Sequence, residues 1–373
     1  MKFEQIIGHQ LLKKQLTTMN HHERLPHSIM LVGPSGCGGV SLARAFASYL
    51  LCEHKSENDS CGKCDNCQKN EKLIHADVHF SYPVVTKKSG DKPISTDYIL
   101  DWRAFVHHFP YATQNDWMNQ IAAENKQGNI TAQECLEITK KLSLKAFEGG
   151  KKILILWLPE FLAKEGNRLL KLIEEPPDNT IFIFVAEDTE QILPTILSRC
   201  QLLHFHSFSD QEVEQGLELY TNLSSTEAQQ IAQIANGNLG AALDIANHSL
   251  QNNSEIFIDW LRKCYVGNGI EMIPVAEKIA AIGKEQLKNM LTYGLHIFRE
   301  LMMYHATGNA KLRLNENDKI TILKLSKIVH LHQIDLAIKL INQIIYHIER
   351  NANTKILFVD ASLQLNNIFK FKK

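Results

Sequence analysis

Two groups of residues in this chain of 373 have types and spacing that could do chemistry. The first is Gly33-Pro34-Ser35-Gly36-Cys37-Gly38-Gly39-Val40. A working phosphate loop reads G-x-x-x-x-G-K-[ST]: backbone N–H groups wrap the phosphates, the Lys neutralises the outer ones and the hydroxyl holds Mg²⁺. Gly33 and Gly38 stand at that spacing, with Gly36 between them, but Gly39 takes the place of the Lys and Val40 that of the hydroxyl. The pattern predicts a degenerate loop in which Gly33, Gly36, Gly38 and Gly39 keep the phosphate-cradling backbone without the groups for hydrolysis. Weak nucleotide binding through N–H groups at a helix N-terminus stays open. The simpler alternative is a glycine turn between a strand and a helix.

The second group is Cys52, Cys61, Cys64 and Cys67, spaced C-x8-C-x2-C-x2-C. Zn²⁺ takes four thiolates tetrahedrally, and an x2 spacing lets two cysteines of one tight turn point at one ion. With every position filled by sulfur and none left for water, the set predicts a structural zinc. A redox C-x-x-C pair would not need the other two cysteines. Cys37, Cys135, Cys200 and Cys264 are isolated and read as small buried hydrophobes.

Composition narrows the classes. With a formal charge of −1 and 22% charged residues, no bulk field attracts nucleic acid or a membrane, so any DNA contact must be local. No apolar run approaches the roughly 20 residues of a membrane span. Met1-Lys2-Phe3-Glu4 does not open a signal peptide, and the expectation is a cytoplasmic protein.

Regular elements must position these groups. Phe3, Ile6 and Ile7 lead past Gly8-His9 into an amphipathic helix marked by Leu11, Leu12 and Leu16. After a polar patch at 21–24, a strand over 27–32 runs into the glycine loop, and Leu42, Phe46 and Leu50 mark a helix beginning at Ser41. Strand, loop and helix are the context the phosphate motif needs. That helix delivers Cys52. Residues 84–129 are loop-like at first and then carry Trp102, Phe105, Phe109, Tyr111 and Trp117 at weak helical spacing. Lysines and rings are not interleaved as on a single-strand stacking surface, so the stretch reads as an inserted helical excursion packing its aromatics on the domain.

A helix with Leu136, Ile138 and Leu142 is expected from Thr131 to Gly149-Gly150, then a fully buried parallel strand over 152–156. In a nucleotide hydrolase that strand would end in Asp-Glu, for Mg²⁺ and water; here it ends in Trp157-Leu158. Residues 167–177 form a helix stopped by Pro176-Pro177, and strands follow at 180–186 and 202–205. Four apolar strands alternating with helices predict an α/β fold with a doubly wound parallel sheet. Beyond Phe208 the pattern is helical only: Val213, Leu217 and Tyr220 on one face, a cap at 224–227, a turn at 236–240 and a polar linker at 247–253. From Ile256 to Lys373 it reads as a bundle, with Leu336, Leu340, Ile344 and Ile348 in register.

Taken together, these residues resemble the delta-prime family of bacterial clamp-loader subunits, AAA+ proteins of the DNA polymerase III holoenzyme. Four features carry the resemblance: the modified loop at 33–40, the cysteine module straight after its helix, the segment 167–177 with Leu-Leu-Lys and Glu-Glu-Pro-Pro, and Ser198-Arg199-Cys200. It covers most of residues 1–250 and, more loosely, the helical C-terminal part. It implies an AAA+ α/β domain over 1–207 with a zinc module at 52–67, a small helical lid domain over 208–250 and an all-α collar domain over 251–373. The insertion at about 84–129 lies outside it and takes no role from it.

The resemblance further implies a subunit that does not hydrolyse ATP itself. It would assemble with clamp-loader ATPase subunits and the delta subunit in a hetero-oligomeric ring, to place a sliding clamp on primer-template DNA. No membrane is involved. Zinc would be structural, and ATP would sit in the neighbouring subunits. Arg199 would be an arginine finger acting on a neighbour's ATP, a role worth on the order of 10³–10⁵ in rate; its alternative is a surface arginine paired with a carboxylate. Glu187 stands where a first nucleotide sensor carries Thr or Asn, and Gly240 where a second carries Arg. Two other functions compete. An ATP-hydrolysing motor subunit is opposed by the missing Lys and by Trp157-Leu158. A stand-alone zinc-stabilised DNA-binding protein should bind DNA tightly with a steep salt dependence, which the charge of −1 opposes.

Overall fold

The computed structural model describes residues 1–21, 25–86, 90–123, 126, 128–148, 150–247, 250–308, 316–350 and 352–370. Residues 22–24 of the expected polar patch, 87–89 of the lysine-rich loop, Gly149 and residues 248–249 of the expected linker lie outside them. The chain divides into two compact units, Met1–Glu212 with Asn238–Gly240, and Val213–Gly237 with Ala241–Lys373.

The first unit runs α1 (Gln10–His21), β1 (Ser28–Val32), α2 (Gly39–Leu51), α3 (Asp65–Glu71), β2 (Val78–Ser81), α4 (Ile99–His108), α5 (Gln114–Gln120), α6 (Ala132–Ser143), β3 (Lys152–Trp157), α7 (Leu170–Glu174), β4 (Thr180–Ala186), α8 (Pro194–Leu197) and β5 (Gln201–His204). The strands form one sheet in the order β2-β3-β4-β1-β5 with every pairing parallel. β1, β3 and β4 are buried along their whole length, which is why they read as unbroken apolar runs. Met30, Leu154, Phe182, Ile138, Leu142 and Ile173 meet in the core on one side of the sheet.

Several elements differ from the sequence expectation, each for a physical reason. A fifth strand, β2, takes the sheet edge; only Ser81 of its Val-His-Phe-Ser is fully buried, so it carries no apolar run to betray it. α6 stops at Ser143, well before Gly150, because the buried Lys152 ammonium donates to the carbonyls of Leu142 and Leu144 and caps the helix there. α6 buries Cys135, Ile138 and Leu142 and leaves Leu136 exposed. The segment 167–177 is not one helix: a 3₁₀ stretch over Pro159–Leu169 passes into the five residues of α7. α2 starts at Gly39, two residues before Ser41. Cys37, Cys135 and Cys264 are buried as expected, but Cys200 is only partly so and lies 3.0 Å from Ser28 Oγ.

α9 (Asp210–Tyr220) leads into the second unit, followed by α10 (Ser225–Ala235), α11 (Leu239–Asn247), α12 (Leu250–Val266), α13 (Gly269–Ala280), α14 (Lys284–Thr307), α15 (Glu316–Leu325), α16 (Leu331–Glu349) and α17 (Thr354–Lys370). Ser224 caps α10 in a reciprocal box with Glu227. α12 begins at Leu250, inside the stretch read as a linker. Val213 and Leu217 of the α9 face are buried while Tyr220 is exposed, and Leu340, Ile344 and Ile348 of α16 are buried while Leu336 is exposed. Trp260 of α12 is the aromatic centre of this unit: it meets Phe257 and Phe358 edge-on, and its indole N–H donates to Ser362 Oγ at 2.8 Å. Trp260→Ala should cost about 3–5 kcal/mol, read as a lower urea midpoint by far-ultraviolet circular dichroism. An unchanged midpoint would show that the unit does not depend on this contact.

Candidate functional site

β1 delivers the chain to the glycine loop at the C-terminal edge of the sheet. Gly33 N–H donates to Ala186 O (3.1 Å) and Phe205 N–H to Val32 O (2.9 Å), so the loop leaves the sheet between two neighbouring strands. Gly38 sits at φ 81°, a left-handed conformation that favours glycine, and hands over to α2. A Cβ on Gly38 would come 2.9 Å from the Tyr111 ring, and one on Gly39 would come 2.7 Å from Val185 Cγ1. The position where a Lys would start is thus already packed against β4. Gly33, Gly36, Gly38 and Gly39 are brought together at one cleft, as the motif requires.

The other wall of that cleft is the insertion. Trp157, at the end of β3, packs its ring 5.4 Å from that of Trp102 and 6.0 Å from that of Phe105. Trp102 in turn stacks on Tyr82 at 4.0 Å and meets Trp117 edge-on at 5.3 Å. From this aromatic core α4 runs back over α2. Buried Arg44 donates to Val106 O at 2.9 Å, in the last turn of α4, and Ser41 Oγ donates to Pro110 O at 2.7 Å. Tyr111 Oη accepts from Ile7 N–H at 2.9 Å, and His9 Nε2–H donates to Cys37 O at 2.9 Å. The cleft that is left measures about 30 Å³, room for one or two waters.

Gly240 belongs to the same unit as the loop; its N–H donates to Gly36 O at 3.1 Å. A Cβ on Gly240 would stand 2.3 Å from Tyr111 O and 3.1 Å from Gly36 Cα, so no side chain fits there. Glu187 follows β4 beneath the loop and shares a hydrogen bond with Ser35. Burial, against that bond, pushes its carboxyl up to about 7, and nearby Glu160 adds to the rise. Glu160 Oε1 accepts from the N–H groups of Glu187 (2.6 Å) and Asp188 (2.8 Å). A phosphate in this loop would face a carboxyl group.

The cysteine module follows α2 directly. Cys52 caps that helix, and α3 starts after Cys64 and carries Cys67. The four sulfurs lie within 4.8 Å of one another, a group that could hold a metal ion. N–H groups of Lys63 and Cys64 bond Cys61 Sγ at 3.4 and 3.3 Å and hold its thiol down to about 6. Burial raises Cys52 and Cys67, a penalty that a bound cation would offset. Asn66 Nδ2 ties the module to Leu51 O at 3.0 Å, and Lys69 ties it to Glu148 at 2.8 Å.

Arg199 is elsewhere. It precedes β5, whose Gln201 pairs with Ile29 near the start of β1, whereas the glycine loop follows the end of β1. Five residues of strand, about 16 Å, separate the two edges, out of reach of a single side chain. The Arg199 guanidinium pairs with Glu174 and donates to Thr195 O at 2.8 Å; among the described residues its buried Nε has no hydrogen-bond partner. Glu174 is the carboxylate that the surface-pair alternative requires. Sequence reasoning missed Ser41 and Pro110 as parts of the cleft and Tyr111 as the ring packed against Gly38, although the aromatics over 102–117 pointed to a packed insertion.

The fold and site define a class: a parallel α/β domain whose first strand runs into a glycine loop and helix, with a four-cysteine module and a helical C-terminal unit. Residues 8–209 match the family model described as DNA polymerase III, delta subunit, and the chain belongs to that family. It is 30% identical over 175 residues to DNA polymerase III subunit delta' of Pseudomonas aeruginosa, covering 47% of this chain and 41% of that protein. To the subunit of that name from Haemophilus influenzae it is 26% identical over 260 residues, 68% of this chain and 65% of the relative. To the one from Escherichia coli it is 25% identical over 220 residues, 58% and 53% respectively. The matches thus span about half the length of these relatives. Among the described residues no helix is long and apolar enough to cross a membrane.

Because the folded value of Glu187 lies above the ordinary 4.5, it favours the fold below pH 4.5 and that contribution is lost as the pH rises through 7. Glu187→Gln should therefore be more stable than the parent at pH 8 by up to about 3 kcal/mol, with the difference vanishing near pH 4.5. Urea midpoints at the two pH values test this, and an equal gap at both would contradict it.

Proposed function

We propose that the chain is a non-hydrolysing subunit of a replicative clamp loader, of the delta-prime kind. The observation that carries this is the glycine loop together with the end of β3. Gly39 and Val40 replace the Lys and hydroxyl of a working loop, and Trp157-Leu158 replaces the acids, with Trp157 packed under Trp102 and Phe105. Family membership supplies the context, and relatives named subunits delta' and tau support the kind of assembly. On this proposal 1–207 is an AAA+ module, 208–250 a lid and 251–373 a collar that joins the ring of ATPase and delta subunits. The ring sets a sliding clamp on primed DNA.

Arg199 then serves a neighbour's ATP. Support comes from its place at the sheet edge away from its own glycine loop, and from the planar fork that suits phosphate oxygens. The Glu174 pair is what the guanidinium holds in the chain alone, and a phosphate would have to compete with it. The cysteine module holds a structural zinc. Sulfurs on a tetrahedral Zn²⁺ with bonds near 2.3 Å lie about 3.8 Å apart, and Cys61–Cys67 and Cys52–Cys64 stand at 3.9 and 4.0 Å. The ion would join the end of α2 to the start of α3 and take no part in a reaction.

In the reconstituted complex, Arg199→Ala should leave assembly intact and lower DNA-stimulated ATP hydrolysis by on the order of tenfold or more; hydrolysis at the parental rate would sink the trans role. Chain purified without exposure to oxygen should carry one zinc per molecule by elemental analysis, and stripping the metal should expose the segment 52–67 to protease. Metal-free chain with the module equally resistant would refute the structural zinc.

A further inference from the structure

We propose that the chain supplies its own occupant for the nucleotide cleft: residues 105–112 of the insertion fill the space over the glycine loop that a nucleotide would need. The idea rests on reading 33–40 as a degenerate phosphate loop, and it goes further by naming what closes that loop. Loss of Lys and acids would by itself leave an open cleft able to take up nucleotide without turnover. The structure leaves only a small, partly open cleft. The Tyr111 ring stands over Gly38, the Tyr111 carbonyl stands over Gly240, and about 30 Å³ is left between the loop and Phe105, Phe109 and Pro110.

The segment is fixed at points independent of one another. Arg44 holds the last turn of α4 through Val106 O, and Ser41 holds Pro110 O, so the helix that leaves the glycine loop grips the segment twice. Tyr111 Oη accepts from Ile7 N–H on the other flank of the loop. Beyond it, Thr113 caps α5 in a reciprocal box with Asp116, and the Trp117 indole N–H donates to Pro83 O at 2.7 Å. Upstream, Trp102 and Phe105 rest on Trp157. The walls of the cleft are also wrong for a triphosphate: one is aromatic, and the floor carries the Glu187 carboxyl on Ser35.

The substitutions and the insertion therefore belong together. An acid at 157 would be buried beneath Trp102 and Phe105 without a cation, and a Lys at 39 would start 2.7 Å from Val185. Putting back the lost side chains would not put back a nucleotide site while 105–112 is in place.

The test uses the full chain, with hydrogen–deuterium exchange and tryptophan emission; three of its four tryptophans, Trp102, Trp117 and Trp157, lie in the aromatic core of the insertion. Amides of 33–41 and 105–113 should exchange at least about a hundredfold more slowly than unprotected peptide. Neither the exchange nor the emission should change in millimolar Mg-ATP. The conservative double variant Ser41→Ala, Tyr111→Phe removes two of the polar ties and keeps the bulk, and should speed exchange at 105–113 by about tenfold without affecting the cysteine module or β3. Rapid exchange of 105–113 in the parent, an emission change or slowed exchange at 33–41 on adding Mg-ATP, or a double variant that exchanges like the parent would each overturn the proposal. Failure here is distinct from failure of the clamp-loader assignment, which is read from hydrolysis by the assembled complex: a chain that admitted ATP could still lend Arg199 to a neighbour.

Discussion

The contact between Trp157 and the pair Trp102 and Phe105 is the constraint on which the first unit turns. β3 is buried end to end between β2 and β4, so whatever side chain ends it is delivered to the C-terminal edge of the sheet beside the glycine loop. A carboxylate there has to be hydrated or to hold a cation, and either needs an open cleft. An indole needs the opposite, a dry surface to pack against. With Trp157 in place, the aromatic residues of α4 and α5 gain a seat on the domain, and the chain between those helices is drawn across the loop. Arg44 and Ser41, which look like ordinary residues of the helix after a glycine loop, then become the polar grips for that crossing chain.

The parallel sheet also separates two kinds of chemistry. Its C-terminal edge carries the glycine loop and Glu187; its N-terminal edge carries the approach to β5, with Arg199. In a single chain the two cannot cooperate, because a strand length lies between them. In a ring of similar subunits they can, since one subunit's N-terminal edge can face another's C-terminal edge. That geometry makes the trans role of Arg199 an economical proposal for a member of this family. On that proposal, filling the chain's own cleft would not affect what Arg199 offers a neighbour. The cysteine module plays a different part: it turns the chain sharply between α2 and α3 and is tied back by Asn66 and Lys69, so a bound ion would set a local angle and not a reaction.

Much of this was legible in the residues. The buried centre of the sheet, β1, β3 and β4, announced itself as unbroken apolar runs, because strands covered on both faces have no polar side to show. Of the edges, β5 was legible at 202–205, one residue off, although it buries only Leu203; β2, half exposed and mixing polar with apolar residues, was not. Helix ends were poorly legible where a distant residue decided them, as Lys152 does for α6. The break between the 3₁₀ stretch and α7 likewise left no mark in the apolar spacing.

For the site, residue identity alone determined what chemistry is missing. Position 39 has no ammonium, position 40 no hydroxyl and position 157 no carboxylate. It also marked Cys52, Cys61, Cys64 and Cys67 as a candidate set, because an x2 spacing lets two cysteines of one tight turn point at one ion. What fills the place of the missing groups was decided by the tertiary structure. Tyr111 and Gly38 are far apart in sequence, as are Gly240 and Gly36, and no periodicity relates them. The first contact exists because the sheet brings the ends of β1, β3 and β4 to one edge and the insertion folds back over that edge; the second joins the loop to a residue beyond the sheet.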